Sequence, residues 1–110
     1  MLAIHPEGVD FHTANDIWGK ETYETEDIAI ERYSRSDRDF REPRAVIIGP
    51  VGENRVSFSV IENDYWRSAG RTGVGAVMGS KKLKALVFQG NRKRQLVDDR
   101  AIKKCQKSRP

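Results

Sequence analysis

Cysteine is nearly absent from this chain: Cys105 stands alone among 110 residues, and histidine occurs only at His5 and His12. A single thiol excludes an intrachain disulfide, and with it a zinc or iron–sulfur site made of this chain's own cysteines. It fits a reducing compartment. The two histidines are separated by a turn and have no cysteine or carboxylate cluster at metal-ligand spacing, so they are expected to be ordinary hairpin residues. Long apolar runs are missing as well. No stretch approaches the ~20 residues that cross a bilayer, and the start lacks the basic and apolar pattern of a signal peptide. The expected product is soluble and cytoplasmic. Strong core formers are also few. Leu, Ile, Val and Phe make up 25 of the 110 residues, just above the range in which disorder is the default. Any core must be thin, which suits a modest domain or a piece of a larger one.

Charge is divided along the chain. Residues 1–80 carry 9 Lys/Arg against 14 Asp/Glu, whereas residues 81–110 carry 11 against 2. A basic tail can attract nucleic acid or an acidic surface, or it can be a solvated chain end. Aromatic residues do not interleave with the tail's charges, and Phe88 alone is near. A stacking platform for nucleic acid wants several.

Turn signals divide the chain into short elements. "MLAIHPEGVDF" reads as a hairpin around Pro6 and Gly8. Thr13 is placed to cap a helical turn holding Ile17 and Trp18 and closed by Gly19. Thr25 is placed to cap a helix through Ile28 and Tyr33 that fades at residues 34–36, with Glu26 and Asp27 in its first turn. A charged loop, "RSDRDFREP", leads to "RAVIIG", a strand over residues 45–48. "VGEN" is expected to turn into an alternating strand, "RVSFSVI", antiparallel to the first. Glu62 and Asp64 are expected at a charged loop edge, and Trp18 and Trp66 as packing residues. "KKLKALVFQG" predicts a strand with apolar groups on both faces. Asp98 or Asp99 is placed to cap a last helix, with Ile102 and Cys105 as its buried contacts.

Between the last two strands runs "RSAGRTGVGAVMGSKK". Gly70, Gly73, Gly75 and Gly79 keep the main chain bare, Arg67 and Arg71 bring charge, and Ser68 and Thr72 bring hydroxyls. A Gly73-Val74-Gly75 turn opening a helix would aim first-turn N–H groups at an anion, with Arg71 clamping a phosphate. The stretch is neither a P-loop nor a dinucleotide fingerprint, and it lacks a clear preceding strand. These residues leave two readings open: an anion or cofactor site, or a tight loop and short helix in which Gly79 permits close contact.

"AGRTGVGAVMGSKKLKALVFQG" closely resembles a signature of the tungsten-containing aldehyde:ferredoxin oxidoreductase family. "WGKETYETED" and "IGPVGENRVSFSVIEND" resemble two more family segments in the expected order, with Val51 where alanine is usual. The resemblance covers roughly residues 11–95. It implies an α+β piece of a β-sheet-based domain with short helices and incomplete sheets. Residues 1–95 would be part of the N-terminal, tungstopterin-binding domain, and residues 96–110 a basic tail or the start of a helix. The implied cofactor is a tungsten or molybdenum bis-pterin with Mg²⁺. Arg67, Ser68, Ala69, Gly70, Arg71, Thr72, Gly73 and Gly75 would line it, and the Ala69 carbonyl would face the Mg²⁺. A side chain at Gly73 or Gly75 would occupy cofactor space. A [4Fe-4S] cluster, with no ligands in this chain, would lie in later domains beside the acid–base residues. The implied activity is oxidation of aldehydes to carboxylic acids with ferredoxin as acceptor. The chain would contribute cofactor surface without catalytic residues. It would be inactive alone, as a truncated product or a split subunit, and homodimeric when complete. The alternative is a small basic nucleic-acid-binding or structural protein.

Overall fold

Six short strands form one mixed sheet in the computed structural model, which describes residues 1–35 and 39–109. The strands are β1 (Leu2–His5), β2 (Gly8–Phe11), β3 (Arg44–Ile47), β4 (Ile61–Asn63), β5 (Arg67–Ala69) and β6 (Ala85–Phe88), arranged in the order β2-β1-β6-β3-β4-β5. Only β1 and β6 run parallel; the other neighbours are antiparallel. The helices are α1 (Thr22–Tyr33), α2 (Pro50–Glu53), α3 (Val74–Ser80) and α4 (Asp99–Lys107). The fold is α+β.

Alternation decides the core. Ala45 and Ile47 of β3 lie opposite Val87 and Ala85 of β6, and all four are buried. Ala29 of α1, Ile17 and Met1 complete the cluster. Alanines on facing strands let α1 approach the sheet closely, so few large side chains are needed to exclude water. The N-terminal hairpin is formed as the Pro-x-Gly turn predicts, with His5 opposite Gly8.

Several expectations are corrected. Helix α1 starts at Thr22, with Glu21 as its N-cap residue. Thr25 already lies inside the helix, its N–H bonded to the Glu21 carbonyl and its side chain fully buried. The turn expected to be capped by Thr13 begins at Ala14, whose carbonyl accepts from Ile17 and Trp18. Pro50 initiates α2 where only a turn was expected, because its fixed φ and missing N–H suit the first helical position. Residues 55–60 form no strand, contrary to the expected alternation: Phe58 is 77% exposed while Ser59 is buried. Only Ile61–Asn63 reaches the ladder.

The two tryptophans are not core residues; Trp18 is 40% and Trp66 81% exposed. Strand β6 buries Ala85 and Val87, but its other face is only partly covered and Phe88 is exposed. Asp98 caps α4 by accepting from the Ala101 N–H at 2.9 Å. The helix buries nothing, however, and Ile102 and Cys105 are both exposed. No helix among the described residues is long and apolar enough to cross a membrane. The loop expected at residues 35–43 lies partly outside the described residues.

Candidate functional site

The hairpin β4–β5 is the outer end of the sheet. Ile61, Glu62 and Asn63 pair with Ala69, Ser68 and Arg67, so a strand does precede the glycine run, contrary to expectation. All three β5 residues are exposed, and the outer edge of this last strand leaves main-chain groups unpaired. Gly70, Arg71 and Thr72 continue as an exposed loop, with Arg71 in the left-handed region at φ +72°. Neither Arg67 nor Arg71 joins an ion pair among the described residues. Six of the eight expected site residues thus form one accessible strip with two free guanidinium groups and two hydroxyls.

Gly73 and Gly75 differ from those six. They are buried at the start of α3, which Gly73 caps at φ +70°. A Cβ on Gly73 would stand 2.5 Å from the Ser57 carbonyl oxygen, and one on Gly75 would stand 2.6 Å from that of Val60. Both glycines are therefore required by the approach of residues 57–60, the chain's own backbone. A side chain at either position would collide with this chain before it reached any cofactor space. The picture of an open ring of first-turn donors is corrected. The Gly75 N–H donates to the Ser59 carbonyl, and the Ala76 N–H to that of Gly73.

Helix α3 also presses on α2. A Cβ on Gly79 would lie 1.8 Å from the Gly52 oxygen, and one on Gly52 would lie 3.1 Å from the Gly75 oxygen. Between this helix pair and the sheet lies a buried ion pair. Lys84 is fully buried; its ammonium donates to a Glu53 carboxylate oxygen and, at 2.8 Å, to the Lys20 carbonyl. The same Glu53 oxygen accepts the Gly19 N–H at 2.8 Å. Lys20, Glu53 and Lys84 come from the three separate sequence segments singled out above, and here they meet. Sequence reasoning missed this cluster by placing Glu53 in a turn and Lys84 on a strand face without comment. The available signal was one lysine inside an otherwise apolar run, "LKALVF".

Beside α2 is a cleft of about 350 Å³ lined by Thr22, Val51, Phe58, Ser59 and Glu62 among others. Ser59 is one of the lining residues, and its Oγ is buried without a hydrogen-bond partner among the described residues. At the opposite end of the sheet His5 bridges Glu7 and Asp10, at 2.8 and 2.9 Å. No group of three metal-ligating side chains occurs among the described residues.

Residues 1–90 match the family model described as aldehyde ferredoxin oxidoreductase, N-terminal domain. The chain belongs to this family. Over 97 residues it is 42% identical to the tungsten-containing aldehyde ferredoxin oxidoreductase of Pyrococcus abyssi and 44% identical to that of Thermococcus kodakarensis. Each alignment covers 88% of this chain and 15% of the relative. An aliphatic sulfonate oxidoreductase, WOR-like subunit, of Pyrococcus furiosus is 36% identical over 82% of this chain and 16% of its own length. Among solved structures, the active-site complex BamBC of benzoyl coenzyme A reductase, bound to 1,5-dienoyl-CoA, superposes with a TM-score of 0.73 at 36% identity. That match covers 83% of this chain and 13% of the solved one. The chain thus spans about one seventh of the aldehyde ferredoxin oxidoreductases it matches, and its family is one of oxidoreductases.

Proposed function

We propose that residues 67–72 of this aldehyde ferredoxin oxidoreductase N-terminal domain hold the phosphate end of a tungsten- or molybdenum-bearing pterin cofactor. The observation that carries this is the exposed strip itself: Arg67 and Arg71 without carboxylate partners among the described residues, with Ser68 and Thr72 beside them on an open strand edge and loop. Two guanidinium groups and two hydroxyls fit a phosphorylated group, since charge-assisted hydrogen bonds to phosphate oxygens are among the stronger ones a surface can offer. The Ala69 carbonyl, in the same strip, is a candidate oxygen donor to Mg²⁺, which takes oxygen ligands. When bound, the metal–pterin group supplies the redox chemistry; the protein supplies binding and orientation.

Within this chain Arg67 and Arg71 would neutralise phosphate charge and Ser68 and Thr72 would donate to its oxygens; a Cβ on Gly70 would stand 3.1 Å from Val60 Cγ1, so that glycine too answers to this chain's own packing. Gly73 and Gly75 act indirectly, by fixing the loop's exit against residues 57–60. Oxidation of an aldehyde with ferredoxin as acceptor would require residues beyond this segment, and on this reading the chain is inactive by itself. The test is calorimetric titration of the 110-residue chain with inorganic pyrophosphate. We expect one site, with Arg71→Gln and Arg67→Gln each weakening it about tenfold, the loss of one charge-assisted hydrogen bond. Absence of binding defeats the proposal. So does binding that ignores both substitutions and disappears on removal of residues 91–110, which would favour a basic-tail function.

A further inference from the structure

The hairpin that carries Arg67 is weakly tied to the rest of the sheet. Strand β4 meets β3 through a single pair, Ile47 with Glu62, and the far side of β5 has no neighbour. Its tip is unusual. Asp64 and Tyr65, neither of them glycine, both have left-handed backbones at φ +50° and +59°. Such residues persist only where the surroundings over-determine them.

The determinant is on α1. Glu26 is 2% exposed, and its two carboxylate oxygens accept the Asp64 N–H at 2.8 Å and the Tyr65 N–H at 3.1 Å. Consecutive amides converge on one buried anion, which compensates its lost hydration. Asp27 adds a second attachment by accepting from the Tyr65 hydroxyl. The Arg44 guanidinium holds the Asp64 carboxylate at 3.2 Å from the β3 side, and Tyr23 meets the Tyr65 ring edge-on at 5.2 Å. The consequence is register. Three residues, Asp64 to Trp66, separate the paired Asn63 and Arg67. Arg67 and Ser68, consecutive on β5, point to opposite faces, and a one-residue change in that tip would slip β5 and exchange those faces.

We propose that Glu26 is a positioning residue for residues 67–71: its buried carboxylate pins the β4–β5 tip and so sets which face of the hairpin Arg67 takes and which Ser68 takes. The functional half of this rests on the pterin-phosphate reading above; the pinning does not. Three variants of the full chain separate them: Glu26→Ala removes both acceptors, Glu26→Gln keeps one at nearly constant volume, and Tyr65→Phe removes only the Asp27 attachment. The measurements, made well below each unfolding midpoint, are amide NMR shifts, amide exchange and pyrophosphate titration.

In the wild type we expect the Asp64 and Tyr65 amide protons far downfield, as bonds to a carboxylate require. Exchange at residues 63–69 should rise about tenfold in Glu26→Gln and more in Glu26→Ala, while β1 and β6 stay protected. Pyrophosphate affinity should fall in the same order, with Tyr65→Phe mildest. Should Glu26→Ala fail to fold, Glu26→Gln and Tyr65→Phe carry the test. Unmoved amide shifts at 64 and 65, or exchange that rises equally throughout the sheet, overturns the pinning. A wild type that ignores pyrophosphate overturns the anion site and the functional half of this proposal. Variants that bind pyrophosphate as the wild type does, despite moved amides, overturn the positioning role alone.

Discussion

Gly79 lies so close to Gly52 that a methyl group on it would stand 1.8 Å from the Gly52 carbonyl oxygen, with Glu53 Cα at 3.3 Å. Both obstacles are backbone, which cannot rotate aside. Alanine would normally favour a helix by up to about 1 kcal/mol over glycine; here the clash wins. Gly79→Ala should destabilise the chain by about 3 kcal/mol, at the severe end of overpacking. Gly90 has nothing within 4 Å of a built Cβ and no positive φ, so Gly90→Ala should stay within about 0.5 kcal/mol. Urea midpoints at constant slope measure both. Equal midpoints for the two variants would refute the helix contact.

Glu53 and Lys84 yield a different kind of prediction. Their side chains are 5% and 0% exposed, and they also hold the Gly19 N–H and the Lys20 carbonyl. Removing one partner leaves an uncompensated buried charge, which costs about 3–5 kcal/mol. Lys84→Met and Glu53→Gln should each approach that loss. The double variant should cost less than the two combined, because neither charge is then stranded. A double-mutant cycle in denaturant measures the coupling. Strict additivity would mean that the two groups do not share one site.

Tyr65 should make the hairpin sensitive to alkali. The hydrogen bond to Asp27 pushes its phenol above the ordinary value of 10.0, with burial and the nearby charges of Asp27 and Glu26 acting in the same direction. A pKa raised in the folded state means that folding favours the protonated phenol. The contribution is therefore complete below the unfolded value and is lost as pH rises through the folded one. Thermal midpoints followed upward from about pH 9 should fall more steeply in the wild type than in Tyr65→Phe. Spectrophotometric titration should show one tyrosine ionising late, absent in that variant. Parallel curves would count against the Asp27 bond.

Legibility followed the range of the interactions. The hairpin at Pro6–Gly8, the strands at residues 44–47 and 85–88, the Asp98 cap and the helix after Gly73 were all readable, because each is decided within a few residues. Residues 55–60 alternate like a strand, yet they form none because the main chain there is drawn against Gly73 and Gly75. That contact crosses some sixteen residues and leaves no local periodicity. Thr25 and Lys84 were misplaced for the same reason: each polar atom is satisfied by a partner elsewhere, Lys20 for Thr25, and Lys20 with Glu53 for Lys84. The family motifs run through two structurally different parts of the chain without separating them. One is an exposed strip, residues 67–72; the other is a set of buried glycines whose Cβ positions this chain's own backbone already fills.

That separation is testable at Gly75. A Cβ there would meet the Val60 carbonyl oxygen at 2.6 Å and Ser59 Oγ at 2.9 Å, both atoms of this protein. Gly75→Ala should therefore destabilise the cofactor-free chain, by about 2 kcal/mol after partial relaxation. If the glycine were present only to admit a ligand, the same substitution would leave the cofactor-free chain intact or strengthen its helix. Ser59→Ala offers the control. Its Oγ is buried without a partner among the described residues, so replacing the hydroxyl by hydrogen removes an unsatisfied group and one of the clashing atoms. The pair Gly75→Ala/Ser59→Ala should recover part of the loss, while the Val60 carbonyl keeps the recovery incomplete. Urea denaturation of the cofactor-free chain decides between these outcomes, and a Gly75→Ala midpoint at or above the wild-type value would return the glycines to the ligand.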